Sequence, residues 1–224
     1  MISLEKLDTP NILIQNKENW DEQYERFRNG EDVPKNIKTK YRETEIKETI
    51  KLETHDKCAY CECKVPHSQP GDIEHIIPKS VDPTLIFEWS NLTLSCRTCN
   101  HSKHTYYDPE VPLINPYNHN PEDHLEATGP LVLAKTGDNI GETAQTILRL
   151  NRNALLEQRA ERILKVKKLI DQYLIEDDST RKRLLKIQLL QEVEPDKEFS
   201  FVIKKFISVK TDIDFEEEKR KIEN

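Results

Sequence analysis

Two Cys-x-x-Cys pairs, Cys58/Cys61 and Cys96/Cys99, lie 35 positions apart in a chain of 224 residues. Each pair can set two thiolates on one ion through a tight turn, and two pairs complete the tetrahedral four-cysteine site typical of structural zinc. The spacing exceeds the roughly 15–20 residues of a simple zinc ribbon, so the zinc would close a long loop. That loop holds Asp72-Ile-Glu74-His75-Ile-Ile-Pro78 and Asn91, and the second pair runs straight into Asn100 and Lys103. Cutting a phosphodiester needs an activated water, an electrophile for the developing charge and a stabilised leaving oxygen, and a hard divalent metal can serve the last two. Such a metal prefers oxygen donors, here the Glu74 carboxylate and the Asn100 amide carbonyl. The His75 imidazole can take the proton of water, because its ordinary pKa lies near working pH. Glu74 and His75 are strand neighbours and point to opposite faces, which suits metal on one side and attack from the other. Asn91 could hold the loop or the imidazole. Lys103, three residues after Asn100 on a helix, would share its face and could touch a phosphate, with Arg97 close by.

These groups need elements to position them. The pattern predicts a strand over 73–77 stopped by Pro78, a loop over 80–89, a strand over 92–95 and a helix from Arg97 to about Tyr106. Upstream, residues 1–9 read as an irregular arm, and Pro10 opens a helical turn through Ile12 and Leu13. Trp20, Tyr24 and Phe27 then fall on one helical face, read as core and ended by Asn29-Gly30. A polar linker over 31–40 precedes a second helix over about 41–54, with Ile46 and Ile50 inward. A knuckle turn spans 58–63, and His67–Gly71 reads as a turn. Downstream, 110–130 reads as an ordered loop wrapping the core, followed by a strand over 131–134 and a helix over 141–150. From Ala154 a helix buries Leu156, Ala160, Ile163, Ile170 and Leu174, then breaks at 176–180. Two more helices, 181–193 and 195–206, follow, and the last dozen residues are expected to fray.

Composition bounds the function class. Charged residues make up 33% and hydrophobic ones 35%, with no apolar run long enough to span a membrane. The N-terminus lacks a secretory apolar core. Paired cysteines without an export signal point to the cytoplasm and to metal rather than disulfides. Net charge is −7, with 17 basic and 25 acidic residues over 1–151 against 17 and 16 over 152–224. Phosphate contacts by Lys and Arg supply most non-specific DNA affinity, so the chain alone should grip DNA weakly unless a partner helps.

Taken together, Cys58-Ala-Tyr-Cys61, Glu74-His75-Ile-Ile-Pro78, Asn91-Leu92 and Cys96-Arg-Thr-Cys99-Asn100-His-Ser-Lys103 resemble the HNH (ββα-metal) endonuclease motif in its zinc-clipped form. Further stretches extend the likeness: Tyr41-Arg, Gly71-Asp-Ile-Glu-His75, Pro78-Lys-Ser80, Phe87-Glu-Trp-Ser-Asn-Leu92, Pro112-Leu-Ile-Asn-Pro116, Pro121-Glu-Asp-His-Leu125, Gly141-Glu and Leu150-Asn-Arg152. Over roughly residues 1–165 the chain looks like the HNH subunit of Septu-type anti-phage systems, the PtuB-like proteins also found in some retron operons. That resemblance implies a DNase working with an ABC/SMC-like ATPase partner (PtuA-like), and cleavage that leaves 3′-hydroxyl and 5′-phosphate ends.

Two positions depart from the commoner motif. Asn100 stands where many HNH proteins carry a metal-binding His, so His101 or His104 could assist, and Glu74 stands where Asp is more frequent. Oxygen-rich ligation favours Mg²⁺ or Mn²⁺ over a softer ion. Asp72 is a candidate outer partner of the metal, and Cys63 is either a free thiol or a fifth zinc ligand. His124 and Arg152 receive no chemistry from the sequence. The expected fold is α+β and mainly helical: an N-terminal helical arm (1–57), a zinc-clipped ββα-metal core (58–108), a wrapping region (109–152) and a C-terminal helical region (153–224). The alternative is a non-catalytic zinc module that binds nucleic acid or protein.

Overall fold

The computed structural model describes residues 1–65, 71–215, 217, 218 and 220. The turn expected at 67–71 falls outside these, save Gly71, as does part of the tail expected to fray. Among the described residues the chain is mainly helical with two small antiparallel sheets, and β1 (Asp72–His75), β2 (Leu92–Ser95) and α3 (Arg97–Lys103) follow in the order of the ββα unit.

Ahead of that unit, α1 (Asn11–Arg28) runs unbroken from Pro10. The Pro10 turn and the Trp20 helix are thus one element, as Pro at a helix start costs no hydrogen bond. The expected polar linker tightens into a 3₁₀ segment, Lys35–Arg42, because Ile37 and Tyr41 are buried. Then comes α2 (Thr44–Glu53), with Ile46 and Ile50 fully inside. Trp20 and Tyr24 pack on Phe87, with ring centroids 5.5 and 6.0 Å apart. Leu13, Trp20, Ile37, Tyr41, Ile46, Ile50, Ile86 and Phe87 join Ile73, Leu92 and Leu94 of the hairpin in one core.

The strand β1 stops at His75, two residues short of the expected end. Ile76 and Ile77 leave the ladder to bond Asn91 instead. Gly71 leads into β1, where a Cβ would meet the Ser95 carbonyl at 2.6 Å. The helix α3 ends at Lys103 rather than near Tyr106. His104 turns the chain with a φ of 49° and a ψ of −120°, dihedrals far from those of a helix.

The wrapping region holds more regular structure than its Pro and Asn content suggests. It contains α4 (Pro121–His124) and β3 (Leu125–Thr128), which pairs with β4 (Leu131–Ala134). His124 bonds the Asp138 carboxylate at 2.8 Å, and Asp138 caps α5 (Asn139–Ile147) through the Gly141 N–H. A side chain at 141 would run into the His124 carbonyl. These contacts account for His124 and Gly141 as structural partners.

The long helix α6 (Asn153–Ile175) buries Leu155, Arg159, Ile163, Val166, Ile170 and Tyr173. The face is rotated from the expected one, and Leu174 is 52% exposed. The rotation follows from Arg159, which sits at a core position by donating to the Leu150 and Pro130 carbonyls. Asp178 caps α7 (Ser179–Gln191), and α8 (Ser200–Lys210) starts five residues later than expected. A second core gathers α6, α8 and β3–β4 around Cys58, Cys61 and Cys99. None of the described helices is long and apolar enough to cross a membrane.

Candidate active site

The four thiols come together as the spacing requires. The Sγ atoms of Cys58, Cys61, Cys96 and Cys99 all lie within 4.8 Å of one another. Zn–S bonds of about 2.3 Å in a tetrahedron put sulfurs roughly 3.8 Å apart, and Cys61 and Cys96 stand at 3.8 Å. The donor set and its closure therefore fit structural zinc. Cys63 lies 3.2 Å from the Cys61 sulfur. Arg152 reaches over the cluster from the start of α6, its guanidinium 3.6–3.7 Å from Cys99, Cys61 and Cys96. A zinc bound by four thiolates carries excess negative charge, which a guanidinium partly offsets. The sequence could not assign this residue, because its partners lie 53–91 positions away.

The β1–β2 register sets Glu74 opposite Thr93 and His75 opposite Leu92. Alternation along β1 turns Asp72 and Glu74 toward α3 and His75 to the other side. On the α3 side Asn100 donates its amide to Asp72 Oδ2 at 3.0 Å. Lys103 donates to Glu74 Oε1 at 2.6 Å and to the His75 carbonyl at 2.9 Å. Lys103 is 1% exposed, so the ammonium that the spacing aimed at a phosphate is engaged inside the protein. Burial raises the Glu74 carboxyl, against the pull of Lys103. Glu74 Oε2 and the Asn100 amide oxygen remain as hard donors on this face. Their chemistry fits a divalent cation such as Mg²⁺.

On the other face the His75 ring stands edge-on to Tyr41, centroids 4.6 Å apart at 76°. Its Nε2 lies 3.0 Å from the Ile86 carbonyl. A carbonyl only accepts, so Nε2 carries the proton and Nδ1 keeps its lone pair. Burial pushes the imidazole down to about 4, against the Ile86 bond, with Lys79, Lys103 and Arg42 adding to the lowering. The ring is thus neutral at ordinary pH, the state a general base requires.

Asn91 works on the loop between the strands. Its Oδ1 accepts from Ile77 N at 2.7 Å, and its Nδ2 donates to the Ile77 and Leu85 carbonyls. This clamp brings Ile86 beneath the imidazole, so Asn91 acts on His75 through the loop. Arg97, exposed on the first turn of α3, lines a cleft with Asp72, Arg152 and Lys165. His101 is exposed, and His104 faces Thr105 at 3.0 Å.

The family model for HNH endonucleases matches residues 58–105. Those residues are an HNH endonuclease domain. The match takes in both cysteine pairs, β1, β2 and α3, so the HNH domain includes the clamp of Asn91 but neither Tyr41 nor Arg152. Over its length the chain is similar to two curated relatives. It is 27% identical to the Septu protein PtuB of Bacillus thuringiensis over 217 residues, covering 91% of this chain and 80% of that protein. It is 29% identical to the Septu protein PtuB of Bacillus mycoides (strain KBAB4) over 180 residues, covering 66% and 60%. The likeness to Septu proteins therefore reaches beyond the stretch of residues 1–165 on which the motifs fall.

Proposed function

We propose that this chain is a metal-dependent endonuclease that hydrolyses DNA phosphodiester bonds, as the nuclease effector of an anti-phage defence complex with an ABC/SMC-like ATPase (PtuA-like) partner in the cytoplasm. The observation that carries the reading is His75: a neutral imidazole, its Nε2 tied to Ile86 and its Nδ1 left with a free lone pair, next in the chain to the carboxylate of Glu74. Nδ1 takes the proton of the attacking water. Ile86 and Tyr41 fix the ring for that transfer, and Asn91 holds the loop that carries Ile86. Glu74 and Asn100 would hold Mg²⁺ or Mn²⁺, which when bound supplies positive charge to the phosphate and the leaving 3′-oxygen. Lys103 aims Glu74, and its charge works against the burial that raises this carboxyl. Cys58, Cys61, Cys96 and Cys99 hold zinc at the two ends of the loop. Septu-type likeness supports the defence role and the partner. The acidic excess of residues 1–151 supports weak DNA binding by the chain alone.

Plasmid nicking by the purified chain, with and without partner, tests this. Nicking should require added Mg²⁺ or Mn²⁺ and rise with the ATPase. His75→Ala should keep zinc and fold while losing about 10²–10⁴ in rate. A His75→Ala protein that nicks at full rate refutes the assignment.

A further inference from the structure

With Lys103 committed to Glu74, the reacting phosphate needs another cation, and the wall beside His75 offers two. We infer that Arg42 and Lys79 grip the DNA phosphate backbone at the scissile bond, so that the 3₁₀ segment ahead of the HNH domain is part of the active site.

The Tyr41 ring that packs edge-on to His75 also organises both cations. Lys79 Nζ donates to the Tyr41 hydroxyl at 3.0 Å and lies 4.8 Å from the ring centre. The Arg42 guanidinium lies 5.4 Å from the same ring. Arg42 is exposed and Lys79 half-buried. Among the described residues neither is paired with a carboxylate, although both sit in a chain with more acids than bases. Both charges are felt at the imidazole, and that of Lys79 at Glu74 as well. Setting two cations against one ring with no ion pair to either costs Coulomb energy, which a phosphodiester relieves through charge-assisted hydrogen bonds. An aromatic ring steadies such cations without neutralising them. The same geometry gives Tyr41-Arg42 and Pro78-Lys79 a shared task that neither stretch suggests by itself.

The inference rests on DNA cleavage at His75, so its test separates the two. Arg42→Gln, Lys79→Gln, Arg42→Lys, Lys79→Arg and His75→Ala are made in the full chain, and zinc content is checked for each. Binding to a labelled duplex is measured across a salt series without added divalent metal, and plasmid nicking with it. Each Gln variant should lower the slope of log affinity against log salt by about 0.9 and reduce kcat/KM roughly ten- to hundredfold. The charge-keeping variants should restore the slope, which a merely structural role of Lys79 on Tyr41 would not alter. Wild-type slope and nicking in both Gln variants, beside His75-dependent nicking by the unaltered chain, overturn the inference and leave the nuclease standing. Loss of slope in a chain that never nicks keeps Arg42 and Lys79 as phosphate contacts but overturns their place at a scissile bond, together with the nuclease.

Discussion

The β1–β2 hairpin lies between two cores of different character. The N-terminal core is built of aliphatic and aromatic side chains from α1, the 3₁₀ segment, α2 and the loop at 86–87. It supplies the wall of His75, through Tyr41 and Ile86. The C-terminal core surrounds the clustered cysteines and admits charge: Glu62 binds Ser200 and the Phe201 N–H, and Arg159 binds two carbonyls. It supplies the guanidinium over the sulfurs. A four-residue strand pair cannot hold a reactive group alone, so the HNH domain borrows rigidity from both sides. The division teaches that the surroundings of His75 and those of the four-cysteine cluster answer to different parts of the chain.

Removing a zinc ligand should break both sides together and give the largest effect. Structural zinc can supply on the order of 10 kcal/mol of folding energy, comparable with the whole stability of a domain. Cys96→Ser should lose the metal and unfold the 58–105 region, seen by elemental analysis and circular dichroism. A zinc-free variant that stays folded would end the structural-zinc reading.

A lesion confined to the N-terminal core should separate the two sides. Phe87 carries Trp20 and Tyr24, and Phe87→Ala should cost about 3–5 kcal/mol. Below the lowered melting temperature the variant should keep its zinc while nicking falls, because Ile86 and Tyr41 no longer fix the imidazole. Parallel loss of zinc and activity would show that the cores do not act separately.

The smallest effect sharpens the comparison from the other side. Arg152→Met should weaken zinc binding roughly ten- to hundredfold, as loss of groups around a metal's ligands does. Competition with a chelator would measure it. The zinc-loaded variant should nick like the parent, since Arg152 lies on the cluster and not beside His75. Unchanged chelator resistance would leave the contacts with Cys61, Cys96 and Cys99 without energetic weight.

What the sequence determined is the part whose chemistry is local. Two Cys-x-x-Cys turns need only their own spacing to present thiolates, and β2 falls at 92–95 as its apolar pattern requires. Alternation on β1 was enough to send Glu74 and His75 to opposite faces. Ile46 and Ile50 point inward because helical periodicity puts them there. Tertiary structure decided the partners. Lys103 reads as a surface cation until Glu74, 29 positions away, is folded against it. The apolar stripe of α6 buries Ile163 and Ile170 as its spacing requires, but its face is rotated to take in Arg159, which two distant carbonyls hold inside. The strand β3 hides in a Pro- and Asn-rich stretch because only pairing with β4 makes it a strand. Tyr41 and Arg152 acquire roles from contacts made 34 and 53 positions away, where residue spacing carries no information.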